Sequence, residues 1–210
     1  SRGLGDVYKR QKGVRAMILS EQLSKKIVNI MSDNNIIDSH LDAAYIYCID
    51  FALDLVLFNL SIIIIGALTH NFILSVIYVT VLVPTKMLAG GAHAGSTYAC
   101  CSISYSVYLL CMLLCRLIPG IPVLNILVCL VTGIGICALS PVPHKNKKQS
   151  YQAKHKIKKY CCFCIGIIYI LLSVVLSFRL YRYGNLIMIC LTIVFVNQII
   201  GLFINNGGRK

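Results

Sequence analysis

Six stretches of the chain are apolar over lengths near the roughly 20 residues that carry a helix across a bilayer. They cover 43–69, 71–88, 98–118, 121–140, 161–178 and 186–204. Turn signals separate several of them: Thr69-His70-Asn71, Pro119-Gly120-Ile121-Pro122 and Tyr183-Gly184-Asn185. Pro84 falls late in the second stretch and is expected to kink or end its helix. Ahead of the first stretch, Ile18, Leu19, Leu23, Ile27, Ile30 and Met31 recur near the helical period, with Lys25, Lys26 and Asn29 elsewhere. This predicts an amphipathic helix over 16–33. It lies on the membrane surface or packs on the protein's own cytosolic face. Residues 1–16 show no apolar periodicity and read as a non-native or disordered leader, with Met17 as the native start. No short apolar segment with a small-residue cleavage site opens the chain, so no cleavable secretory signal is expected. The fold expectation is an all-α integral membrane protein. It has about six transmembrane helices, preceded by an amphipathic cytosolic helix and forming a single membrane domain over 17–210.

Composition sharpens this. The 210 residues are 58% hydrophobic and only 13% charged, with a mean hydropathy of +0.78. A soluble domain is about 45–50% apolar and about 25% charged. A soluble single-domain enzyme and a disordered basic tail are thereby excluded. The net charge of +13 would elsewhere suggest nucleic acid. Beside apolar spans it is explained by membrane topology, so no nucleic-acid partner is expected. With the N-terminus in the cytosol, 17 of the 20 Lys and Arg residues fall on the cytosolic side, and only Arg116, Arg179 and Arg182 fall outside. An even number of spans returns the basic C-terminus to the same side. The expected localisation is a cell membrane, crossed several times, with both termini cytosolic.

The eleven cysteines (48, 100, 101, 111, 115, 129, 137, 161, 162, 164 and 190) all fall in or beside apolar spans. An odd count spread along membrane helices is no secreted disulfide framework. Small apolar packing residues are the expectation for most of them. Cys161-Cys162-Phe163-Cys164 has no fourth ligand at structural zinc-site spacing, so packing is favoured over metal there. No metal and no cofactor are expected.

One segment carries chemistry. It runs Pro84-Thr85-Lys86-Met87-Leu88-Ala89-Gly90-Gly91-Ala92-His93-Ala94-Gly95-Ser96-Thr97-Tyr98-Ala99-Cys100-Cys101. Ser96 or Thr97 can cap a helix. Cys100 then sits in the first turn, where unpaired backbone N–H groups favour a thiolate. His93 can serve as its base. On one continuous helix, residues seven apart would differ by about 10 Å in height. A contact between His93 and Cys100 therefore requires a chain reversal, which Gly90, Gly91 and Gly95 permit. A loop histidine beside a packing cysteine is the other reading.

Gly91-Ala92-His93-Ala94 followed by Cys100 resembles the accessory gene regulator B (AgrB) family, membrane cysteine endopeptidases of bacterial quorum sensing. Lys86, Gly91, His93 and Cys100 stand where that family has a basic residue, the glycine, the histidine and the cysteine. Ser140-Pro141-Val142-Pro143-His144-Lys145-Asn146-Lys147 is similar to its Pro- and Asn-containing basic loop. The resemblance extends from about Met17 in length and hydrophobic layout. Lys86 departs from the family's usual arginine, keeping the charge but losing the bidentate fork.

The resemblance implies a reaction. The Cys100 thiolate attacks a carbonyl in a short AgrD-like propeptide at the cytosolic membrane face. His93 acts as base and then as acid to the leaving amine. An internal cysteine or serine of the substrate then attacks the thioester and releases a thiolactone or lactone autoinducing peptide. Cys101, about 100° around the helix from Cys100, is the competing nucleophile. Asp50 and Asp54 share a face inside the first span. Asp50 orients His93, pairs with Lys86, or serves a structural hydrogen bond. The basic run from Lys145 to Lys159 binds an acidic propeptide tail or only sets topology. The partners implied are the propeptide and the bilayer, and a homodimer is compatible with the reading. The alternative is a non-enzymatic peptide exporter or membrane regulatory binding protein, for which Asp50, Asp54 and Pro84 would mark a broken-helix path. Motifs of other intramembrane enzymes, such as His-Glu-x-x-His, are absent from the chain.

Overall fold

A computed structural model describes residues 18–34, 36–37, 41–92, 97–142 and 151–207. Among these the chain forms seven helices and no strand: α1 (Ile18–Asp33), α2 (Asp42–Leu68), α3 (Phe72–Ala89), α4 (Thr97–Leu117), α5 (Pro122–Leu139), α6 (Tyr151–Ser177) and α7 (Tyr181–Gly207). Six of them, α2 to α7, are long and apolar enough to cross a membrane. Membrane-spanning backbone must satisfy its own hydrogen bonds, which explains why apolar length reads so directly as helix here. The chain is an all-helical, multi-pass membrane protein.

The first four predicted spans match α2 to α5 within a residue or two at each end. The last two are corrected. The fifth helix of the six begins at Tyr151, ten residues before the apolar stretch at Cys161. Its first turns carry Lys154, Lys156, Lys158 and Lys159, so the second half of the expected basic loop is helix. Apolar composition marks the part of a helix that lies in hydrocarbon, not the turns that project beyond it. Long lysine stems reach water from such turns.

The sixth begins at Tyr181 rather than 186, and Tyr183-Gly184-Asn185 lies inside its first turns. Tertiary contacts absorb those turn-forming residues. Asn185 donates its side-chain amide to the Ile118 carbonyl at 2.8 Å. Gly184 leaves room for α5, since a Cβ there would stand 3.0 Å from Asn125 Nδ2. Pro84 does not end α3, which continues to Ala89. The last carbonyls of that helix find partners on other elements, described below.

By contacts the chain divides into two compact units, Ser1–Ile62 with Gly95–Cys101, and Ile63–Ala94 with Ser102–Lys210. In the first, α1 buries Ser24 and Val28, one turn apart, while Leu23 and Ile30 stand exposed. Residues 16 and 17 of the expected amphipathic helix lie outside the described residues. In the second unit α7 is central, packing against α3, α5 and α6. Leu186 to Leu191 are buried without interruption, as expected of a helix surrounded by others. Tyr78 and Tyr108 meet edge to face with centroids 5.2 Å apart. The Tyr108 hydroxyl is 2.7 Å from Ser75 Oγ. All eleven cysteines lie on helices as free thiols.

Candidate functional site

The described parts of the motif segment can be followed from their helices. Lys86 stands in the last turn of α3 and is half-buried. Its carbonyl accepts the Gly90 N–H at 3.1 Å. The chain then leaves the helix through two residues that only glycine accommodates with ease. Gly90 has φ +73° and Gly91 φ +135°, both on the side of the φ/ψ map that a Cβ disfavours. Space gives the same answer. A Cβ on Gly90 would stand 2.8 Å from the Val142 carbonyl oxygen, and one on Gly91 would stand 2.3 Å from Asn197 Nδ2.

This exit is fastened from two sides within the second unit. From the segment after α5, the Val142 N–H donates to the Ala89 carbonyl at 3.0 Å, and Ser140 Oγ donates to the Leu88 carbonyl at 3.0 Å. Gly90 and Val142 form an isolated parallel bridge. From α7, Gln198 Nε2 donates to the Ala89 carbonyl at 3.1 Å. The Ala92 N–H donates to the Asn197 carbonyl at 3.3 Å. Gly201 allows the close approach, since its Cβ would lie 2.6 Å from the Gly91 carbonyl carbon. Gln198, Thr85 and Ala89 are fully buried. Terminal carbonyls that a helix leaves unpaired are thus supplied with donors, and the backbone is held up to Ala92.

His93 and residues 94–96 lie outside the described residues, as do 143–150, which hold the expected Pro143-His144-Lys145-Asn146-Lys147 stretch. The side chain of Thr97 is likewise outside them. The helix α4 begins at Thr97, which puts Cys100 in its first turn. Cys100 and Cys101 are both half-buried. Asp50 is buried at 2% exposure, and Asp54 is half-buried one turn later on α2. The Asp54 carboxyl is close enough to the Cys101 thiol to act on it electrostatically. The five residues singled out in the sequence are thus distributed. Lys86 and Gly91 belong to the second unit, Cys100 and Asp50 to the first, and His93 is not described.

The sequence reading missed the fasteners Ser140, Asn197 and Gln198. A signal for two of them was present. Asn197 and Gln198 are adjacent polar residues inside an apolar span, where such groups are expensive and face the protein interior. It also missed that Asp54 on α2 lies within electrostatic reach of Cys101 on α4, because proximity between two helices has no sequence period.

The sequence model of one family, described as accessory gene regulator B, matches residues 24–202. No curated protein and no solved structure matches the chain.

Proposed function

Because the chain belongs to the accessory gene regulator B family, we propose that it is a membrane cysteine endopeptidase that cuts a short AgrD-like quorum-sensing propeptide and closes the product into a ring. The reaction uses Cys100 as nucleophile and His93 as base. The thiolate adds to the scissile carbonyl. The tetrahedral intermediate expels the amine of the C-terminal fragment, which takes its proton from the His93 imidazolium. The remaining acyl group is a thioester on Cys100. A substrate cysteine or serine attacks it, the Cys100 thiolate leaves, and a thiolactone or lactone is released. Exchanging one thioester for another conserves the energy of the acyl bond, provided water is excluded.

The observation that carries the reading is family membership across 24–202. The start of α4 at Thr97 supports it, because it places Cys100 in the first turn of that helix, next to the segment that carries His93. The fastening of Gly90 to Ala92 also supports it, since a rigid approach limits where the next residue, His93, can go. Lys86 supplies a cation close to that exit, and Asp50 a buried carboxyl. The cytosolic position of the termini and of the reaction belongs to the same proposal and rests on the basic residues gathered on that side.

Co-expression with an AgrD-like propeptide tests it. Cys100→Ala is expected to reduce cleavage by at least about a thousandfold, as loss of a covalent nucleophile does elsewhere. His93→Ala should do so comparably. Cys101→Ala should retain cleavage. Full cleavage by Cys100→Ala and His93→Ala would refute the mechanism. Asp50→Asn is expected to fold and to cleave more slowly, and unchanged cleavage would remove Asp50 from the site.

A further inference from the structure

At the end of α3 opposite the Gly90–Ala92 exit, two guanidiniums converge on one side chain. Asn71, just before α3, receives two guanidiniums on one oxygen: Arg116 Nη2 at 3.1 Å and Arg182 Nη2 at 2.9 Å. The two cationic nitrogens are no further apart than those bonds laid end to end. A neutral amide oxygen can accept both but cancels neither charge, so the pair repels at short range. The usual remedy, a carboxylate, is missing among the described residues. Every Asp and Glu of the chain lies at or before residue 54, so the unit of 63–94 and 102–210 contains no acidic side chain.

Beside the pair is a cavity of about 340 Å³ lined by Arg116, Arg182, Tyr181 and Asn185 among others. Asn185 is 1% exposed. Its Oδ1 finds no hydrogen-bond partner among the described residues, although its amide nitrogen is engaged with Ile118. The site therefore offers guanidinium donors for an anion and one buried acceptor for a hydroxyl. Its depth matters too. Arg116 is one residue from the end of α4 and Arg182 one from the start of α7, which is where spans leave hydrocarbon and lipid phosphates lie. Leu68 at the end of α2, Leu117 at the end of α4 and Phe178 just after α6 stand exposed and offer apolar surface to acyl chains.

We propose that Arg116 and Arg182 form a phosphate-binding subsite for an anionic phospholipid with a hydroxylated headgroup. The two guanidiniums take the phosphodiester oxygens, and Asn185 Oδ1 accepts from a headgroup hydroxyl.

The test uses the full chain in detergent micelles, with bound lipid counted by native mass spectrometry. Phosphatidylglycerol is expected to be retained above phosphatidylcholine. Arg116→Gln with Arg182→Gln should weaken that retention by about tenfold or more, the scale of a lost charge-assisted hydrogen bond. Arg179→Gln, which removes an equal charge from an exposed neighbour, should leave it unchanged. Asn71→Asp places a carboxylate where the guanidiniums meet and should also weaken retention, which keeps the test readable if the double variant folds poorly. Equal weakening by Arg179→Gln would overturn the site in favour of general surface charge. So would phosphatidylglycerol retention unaffected by the double variant and by Asn71→Asp. Arginine-dependent binding of inorganic phosphate without retained lipid would overturn the lipid as source. Binding of an acidic peptide in its place would overturn it equally.

Discussion

Gln198 on α7 donates its side-chain amide to the Ala89 carbonyl, 3.1 Å away and 109 residues earlier in the chain. Ala89 is the last residue of α3, and its carbonyl also accepts the Val142 N–H. One buried oxygen therefore joins the end of α3 to the segment after α5 and to α7, four residues before His93. Burial of that oxygen makes both donors important, because a buried acceptor left without a partner costs about 1–3 kcal/mol.

Gln198→Leu should lower unfolding stability in detergent by about 1–3 kcal/mol. Gln198→Met should do likewise, since a thioether keeps the length of the side chain but has no donor. Thermal melts of the two variants against the parent protein check this. Parent-like melting of Gln198→Met would remove the hydrogen bond from the account.

Gly91→Ala should be destabilising through both backbone and space. The positive φ alone is worth about 1–3 kcal/mol, and the new methyl meets Asn197. Gly201→Ala presses on the same contact from α7, at 2.6 Å from the Gly91 carbonyl carbon. The two changes should therefore couple rather than add. Gly166→Ala is the control. Nothing lies within 4 Å of a Cβ there, so the variant should be neutral or gain about 0.5–1 kcal/mol from helix propensity.

Ser75 and Tyr108 should behave as a buried pair, with hydroxyls 2.7 Å apart. Ser75→Ala leaves the Tyr108 hydroxyl in a site where the ring is 2% exposed, at a loss of about 1–3 kcal/mol. Tyr108→Phe should cost less, because Ser75 Oγ also bonds to the Asn71 carbonyl. The double-mutant cycle should show a coupling of about 0.5–3 kcal/mol. Strict additivity would sink the pair.

Reporter tags on the two termini should be protected together from added protease in intact cells and cut together after the membrane is opened. The reason is the six-span count and the basic residues near both ends. Opposite accessibility of the two tags would overturn the orientation.

The sequence alone determined that the chain is helical and crosses a membrane about six times. Apolar length is a local property, and the bilayer penalises any unpaired backbone strongly enough that local composition decides the outcome. It also located the segment from Lys86 to Cys100, because glycines, a histidine and a cysteine are rare company between two spans. The helix ends at Tyr151 and Tyr181 were not legible. There lysines fill the first turns of α6, and Asn185 is held in α7 by the Ile118 carbonyl. Only the tertiary structure decided which polar groups in and beside the spans matter. Gln198 meets Ala89, Ser140 meets Leu88, and Arg182 meets Asn71 across separations of 109, 52 and 111 residues. Such pairings follow from which helix faces which. Helix packing chooses that by shape and by the need to satisfy every buried polar atom, and neither requirement leaves a period in the sequence.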